Sequence, residues 1–168
     1  MASEGTGTQA PMATALAAGI RRGALAGAAG TTALNAVAYL DMAWRGRPPS
    51  STPERTVERL GELAGHQIPG DDQTKDNRRT GLGALLGMAA GVGIGMAAGA
   101  LRAAGLRPPA WLGTIAIGTL AMAATDAPMT ALGVTDPRQW SVPDWLSDLI
   151  PHLAYGAVTY WTLSATGT

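Results

Sequence analysis

At 168 residues the chain has the length of one domain, and only 14% of it is charged, against roughly 25% in an average soluble domain. Its 12 basic and 12 acidic residues cancel, which argues against a nucleic-acid partner, and the absence of cysteine excludes disulfides, thiol catalysis and thiolate metal sites. The charges are also segregated: 13 of the 24 fall between Arg45 and Arg79, as expected of apolar membrane spans joined by polar loops.

Mean hydropathy is only +0.11, because Gly and Ala stand where Leu and Phe would be expected and because the 45–80 segment is polar. Residues 1–15 are small and polar and predict a disordered tail, which leaves 16–168 as a single domain. Glu4 is the sole charge in that tail, so it has no signal-peptide n-region. Arg21-Arg22 with Ala36-Val37-Ala38 also fits a twin-arginine export signal and its cleavage site. Three further apolar segments follow, and a first membrane span is the simpler account.

The spacing predicts spans over about 23–44, 81–101, 110–132 and 147–165. The first would be about 33 Å long at the helical rise, enough to cross a bilayer. Residues 110–125 alone would reach only about 24 Å, so the third span is extended through Asp126 and Pro128. Trp44, Trp111, Trp145 and Trp161 fall near the proposed ends, where amphipathic rings settle at the interface.

In the first loop, Pro48-Pro49 stops a helix and Ser51-Thr52-Pro53-Glu54 starts another, with a hydroxyl cap, an early proline and a Glu three residues on. Val57, Leu60 and Ala64 form a narrow apolar stripe that Gly65 ends. This predicts a short surface helix over about 53–64. Eight Lys and Arg lie on the side of that loop and four on the other, which leans toward a cytoplasmic loop.

Glycine recurs every four residues at Gly83, Gly87, Gly91, Gly95 and Gly99, and again at Gly19, Gly23 and Gly27. Gly93-Val-Gly95-Met-Ala-Ala98 matches a variant dinucleotide fingerprint, but no strand precedes it and no acid follows before Asp126. A linker is excluded by the Leu, Met, Val and Ile residues between the glycines. A spacing of four keeps a side-chain-free stripe on one helix face, and in lipid such stripes let backbones approach closely. The stripes are read as a glycine zipper, pairing either within the chain or between chains.

Three ionisable residues fall inside the spans, Asp41, Asp126 and His152, with Asp148 at the edge of the fourth. In a four-span arrangement all three lie about 5–9 Å below the same surface, on the side of the 45–80 loop. They form a candidate polar cluster, because charge in a membrane is costly and marks function by default. Each also has a structural reading: Asp41 as partner of Arg45 one turn on, Asp126 as a cap with Pro128, and His152 as a donor to a backbone carbonyl. No catalytic set, metal-ligand cluster or cofactor motif stands out.

The stretches Asp126-Ala-Pro-Met-Thr-Ala-Leu-Gly-Val-Thr-Asp-Pro-Arg and Trp140-Ser-Val-Pro-Asp-Trp-Leu-Ser-Asp-Leu-Ile-Pro-His-Leu-Ala-Tyr-Gly resemble the C-terminal half of small bacterial inner-membrane proteins of the YagU type. Gly-Ala-Ala-Gly-Thr-Thr-Ala-Leu-Asn and the Pro-Glu-Arg…Val-Glu-Arg-Leu helix resemble that group as well. The resemblance implies a multi-helix integral membrane protein. It places weight on Asp126, Trp145, His152, Tyr155 and Gly156, and supplies no catalytic residues. The Ala- and Gly-rich composition without Phe suggests a high-GC bacterial genome.

The expectation is therefore all-α: an integral membrane bundle of four transmembrane helices with a surface helix in the first loop, multi-pass in a bacterial plasma (inner) membrane. Its expected role is non-enzymatic, as a structural or accessory subunit. The expected partners are the lipid bilayer and either a second copy of the chain or another membrane subunit. The alternative is a proton-coupled or small-solute permeation protein using the polar cluster.

Overall fold

The computed structural model describes residues 9–166, and among these the chain forms five α-helices and one 3-10 turn, with no strand. The helices are α1 (Gln9–Arg45), α2 (Thr52–Leu63), α3 (Asp72–Ala103), α4 (Ala110–Ala131) and α5 (Val142–Ala165), with the turn at Pro137–Gln139.

Their limits follow from local chemistry. Helix α1 ends at Arg45, and Gly46 takes the left-handed conformation (φ 63°) that turns the chain out of it. Because α1 begins at Gln9, residues 9–15 of the expected tail are helical, and residues 1–8 lie outside the described residues. Ser51 is the residue before α2, but its hydroxyl makes no cap bond. With φ −89° and ψ 2° its backbone is not in the extended conformation that aims a cap at the next turn, and Ser50 Oγ accepts from Thr52 N–H instead at 3.2 Å. Helix α3 begins nine residues before the expected span. Asp71 caps it by accepting from Thr74 N–H at 2.8 Å, and nothing between 72 and 80 breaks a helix. Helix α5 likewise starts early, at a capping box in which Ser141 and Asp144 each accept from the other's backbone N–H. Pro128 does not end α4, which runs on to Ala131.

The long helices pack in the order α3, α1, α5, α4, each antiparallel to the next. Helices α1 and α3 meet glycine to glycine: Gly19 on Gly99, Gly23 on Gly95, and Gly27 on Gly91 and Gly95. Helix α5 lies on α1, where Thr159 Oγ1 donates to the Ala26 carbonyl at 3.4 Å. Helix α4 lies on α5, with Gly156 against Thr114 and Gly118. Helices α3 and α4 are consecutive in the chain yet barely touch. Helix α2 rests on the start of α3, with Pro53 against Gly83 and Glu58 paired to Arg79 at 2.6 Å.

The bundle buries few large apolar side chains among the described residues. Its best-buried residues are mostly small or hydroxylated, among them Ala26, Ala121, Tyr155 and Thr159, with Leu163 and Val134 beside them. The large apolar side chains point outward: Leu82, Leu85 and Met88 on α3, Trp111, Ile115 and Leu120 on α4. Two helices, α3 and α4, are long and apolar enough to cross a membrane. Of the four expected spans, α1 and α5 do not reach that mark. Helix α1 has no charge between Arg22 and Asp41, but its glycines, Thr31, Thr32 and Asn35 lower its hydropathy, and Asp148, His152 and several hydroxyls dilute α5.

Candidate functional site

The site is organised by the two faces of α5. Positions one turn apart share a face, so Ser147, Pro151, Tyr155 and Thr159 form one row and Asp148, His152, Gly156 and Tyr160 the next. The first row meets α1: Arg45 Nη2 donates to Ser147 Oγ, and a Cβ on Gly30 would collide with Tyr155 and Thr159. Tyr155, 1% exposed, reaches beyond α1 and donates its hydroxyl to the Gly91 carbonyl of α3 at 2.6 Å. The second row meets α4. Gly113 accommodates the Tyr160 ring, Gly118 lies against the His152 carbonyl, and Tyr160 donates its hydroxyl to the Pro108 carbonyl at 2.7 Å.

Asp126 of α4 and Asp148 of α5 come within hydrogen-bonding reach of each other, with His152 close by. Two carboxyl groups can share a hydrogen bond only when one of them carries a proton. His152 is buried, and its Nδ1 lies 2.8 Å from the Asp148 backbone oxygen and 3.4 Å from Asp148 Oδ1. A carbonyl oxygen only accepts, so Nδ1 carries a hydrogen and Nε2 is the ring's remaining acceptor when it is neutral. Asp148 Oδ2 is buried and, with both carboxyls ionised, has no donor. Chemically, this group can hold, pass or release a proton inside the α4–α5 seam. No group of three or more His, Cys, Asp or Glu suited to a metal ion is present among the described residues.

The three residues expected to cluster are thus divided between seams. Asp126 and His152 share the α4–α5 seam. Asp41 lies by the α1–α5 seam, accepting from Arg45 Nε at 2.7 Å, Arg45 Nη2 at 2.6 Å and Arg47 Nε at 2.6 Å. Asp148, expected only at the edge of the fourth span and outside the cluster, joins Asp126 to His152. Its four-residue spacing from His152 was the available signal.

The glycine positions are divided too. Gly19, Gly23, Gly27, Gly91, Gly95 and Gly99 lie between α1 and α3, and Gly83 meets α2. Gly87 has open space where a side chain would stand. Outside the spans, the Ser141 hydroxyl and backbone N–H beside Asp144 hold its carboxyl below the ordinary carboxylate range. The Arg138 and Gln139 side chains do the same for Asp136.

Comparison with protein-family models, with curated proteins and with solved structures finds no match to this chain.

Proposed function

We propose that the chain is a four-span integral protein of a bacterial plasma membrane. Helices α1, α3, α4 and α5 would cross, and its role would be that of a non-enzymatic structural or accessory subunit. The observation that carries this reading is the outward direction of the large apolar side chains on α3 and α4, combined with glycine-lined seams inside. Helices in lipid gain little from burying Leu against Leu and associate through close backbone contact, so small residues belong inside and apolar bulk outside. Helices α1 and α5 fit as spans because polar side chains on them are satisfied within the helix itself: Thr31 bonds the Gly27 carbonyl one turn back, and His152 bonds that of Asp148. The YagU-type resemblance points to the same class. With α1 and α3 matched glycine to glycine inside one chain, a partner would meet the apolar outer faces.

The absence of native cysteine makes the test direct. Single cysteines at Ser50, Arg107 and Arg138 should label with a membrane-impermeant maleimide from one side for 50 and 138 and from the other for 107. Labelling of all three from one side would remove the reading.

A second reading is favoured by Asp126, Asp148 and His152 meeting on one seam. Proton-coupled or small-solute permeation would use that seam, because ionisable groups are retained in a membrane where they serve transport. Asp126→Asn in proteoliposomes should then abolish a pH-driven flux while leaving helix content unchanged. No flux from the unaltered protein would dismiss it.

A further inference from the structure

We propose that the groove between α1 and α5 holds one phospholipid molecule, its phosphate at Arg45 and Arg47 and one acyl chain along Val37, Leu146, Ile150 and Pro151. The groove has a volume of about 320 Å³ and is bounded by Val37, Asp41 and Arg45 on α1 and by the opening turns of α5. Its lining changes along its length. The polar groups Asp41, Arg45 and Ser147 all lie toward the loop end, where Val142 and Pro143 stand beside them, whereas Val37, Ile150 and Pro151 lie one to two turns deeper and are all apolar. Val37 to Arg45 spans about 12 Å of helix. This axis has the polarity of a lipid in a leaflet, with the head at the surface and the tail inward.

The head end is what sets the groove apart from an ordinary crevice between helices. One carboxylate, Asp41, accepts from both Arg45 and Arg47 and so draws two like-charged guanidinium groups together. Each retains an end without a partner among the described residues: Arg45 Nη1 and Arg47 Nη2. Arg47 Nη1 donates to the Pro48 carbonyl at 3.2 Å, which fixes its plane. The two arginines and Asp41 leave one positive charge. Asp144, its carboxylate held ionised by the Ser141 hydroxyl and N–H, stands near Arg45 and offsets that charge, so what a phosphate would meet is the free guanidinium edges themselves. Paired guanidinium edges match a phosphate in geometry and charge, which a Lys pair would not do as well. Trp44, 91% exposed one residue before Arg45, marks the headgroup level. Asp41 thereby has a role as the positioning residue of an anion site.

The proposal rests on the four-span reading, since the groove must open to the bilayer. The test uses the full chain purified in a nonionic detergent, with native mass spectrometry as the readout. The probes are phosphatidylglycerol and a diacylglycerol of the same chains, added separately. One phosphatidylglycerol per chain should be retained, and the diacylglycerol should not. Arg47→Gln keeps the Asp41–Arg45 pair and should weaken retention about tenfold, the loss expected for one charge-assisted bond. Val37→Trp fills the deep end and should weaken it as much with both arginines intact. Equal retention of the two lipids, unchanged retention in Arg47→Gln, or no retention at all would overturn the site. If cysteine labelling shows four spans while retention fails, the lipid site alone is lost. If labelling fails, the membrane reading and the site fall together.

Discussion

Replacing Gly95 by Ala should destabilise the protein by about 2–3 kcal/mol, and the same change at Gly87 should not. The two glycines lie two turns apart on one helical stripe, so the contrast isolates the α1–α3 contact from any general effect of glycine. A Cβ at position 95 would stand 2.5 Å from Gly27 Cα and 2.6 Å from Gly27 N, with the Gly23 carbonyl oxygen also in the way. These are backbone atoms of a packed helix and cannot rotate aside. Ordinary contact begins at 3.4 Å, so α1 and α3 would have to part by about 0.9 Å at that point. A gap of this size forfeits about a quarter to a half of each contact's well, and some 40 atom pairs at about 0.15 kcal/mol each would lose about 2 kcal/mol along the seam. Overpacking in cores costs about 1–3 kcal/mol, and rigid neighbours place this site at the upper end. At Gly87 nothing stands within 4 Å, so Ala there should range from neutral to about 1 kcal/mol stabilising through helix propensity. The assay is equilibrium unfolding in mixed micelles with increasing SDS, followed by helical ellipticity. Equal effects at the two positions, or a cost under about 0.5 kcal/mol at Gly95, would refute the reasoning.

Three further outcomes follow from single contacts. Tyr155→Phe removes the hydroxyl that reaches the Gly91 carbonyl, and should lower stability by about 1 kcal/mol in the same assay without altering the fold. Gly83→Leu should lift α2 from α3, because its Cβ would stand 2.9 Å from Pro53 Cβ. Trypsin should then cut faster at Arg55 and Arg59, whereas Gly81→Leu, which meets open space, should leave the rate unchanged. The start of α5 should respond to acid. Asp144 is held below its ordinary range by Ser141, so its contribution is complete above the unfolded carboxylate value near pH 4 and lost as pH falls through the lowered folded value. Amide protection of the first α5 turn should be constant from pH 7 to 5 and fall in more acidic buffer, and Ser141→Ala should reduce it at every pH.

Which of these features the amino-acid sequence discloses depends on how far apart the deciding residues lie. Gly65 and Pro53 punctuate α2 within a few residues, and the helix runs from Thr52 to Leu63 between them. The four-residue glycine spacing likewise needs only the helical repeat to define a face. What covers that face is a tertiary matter. Gly83 meets α2, Gly91 to Gly99 meet α1, and Gly87 falls in the interval between those two neighbours. No local pattern distinguishes Gly87 from the rest of its stripe.

The polar residues divide in the same way. Depth along a span can be counted from its ends, and that count placed Asp41, Asp126 and His152 at one level. Rotation about the helix axis decides which seam each residue enters, and the rotation of α5 is set by its neighbours on both sides. Thr159 and Tyr155 fit the small residues of α1, while Gly156 and Tyr160 fit those of α4. That fit turns Asp148 and His152 toward Asp126 and turns Ser147 toward Arg45. Asp41, held at the same depth by two arginines, is therefore kept apart from the carboxyl pair, and each seam of α5 carries its own polar end. A substitution that rotates α5, such as a larger residue at Gly156 against Thr114 and Gly118, should disturb both ends together, although it touches neither.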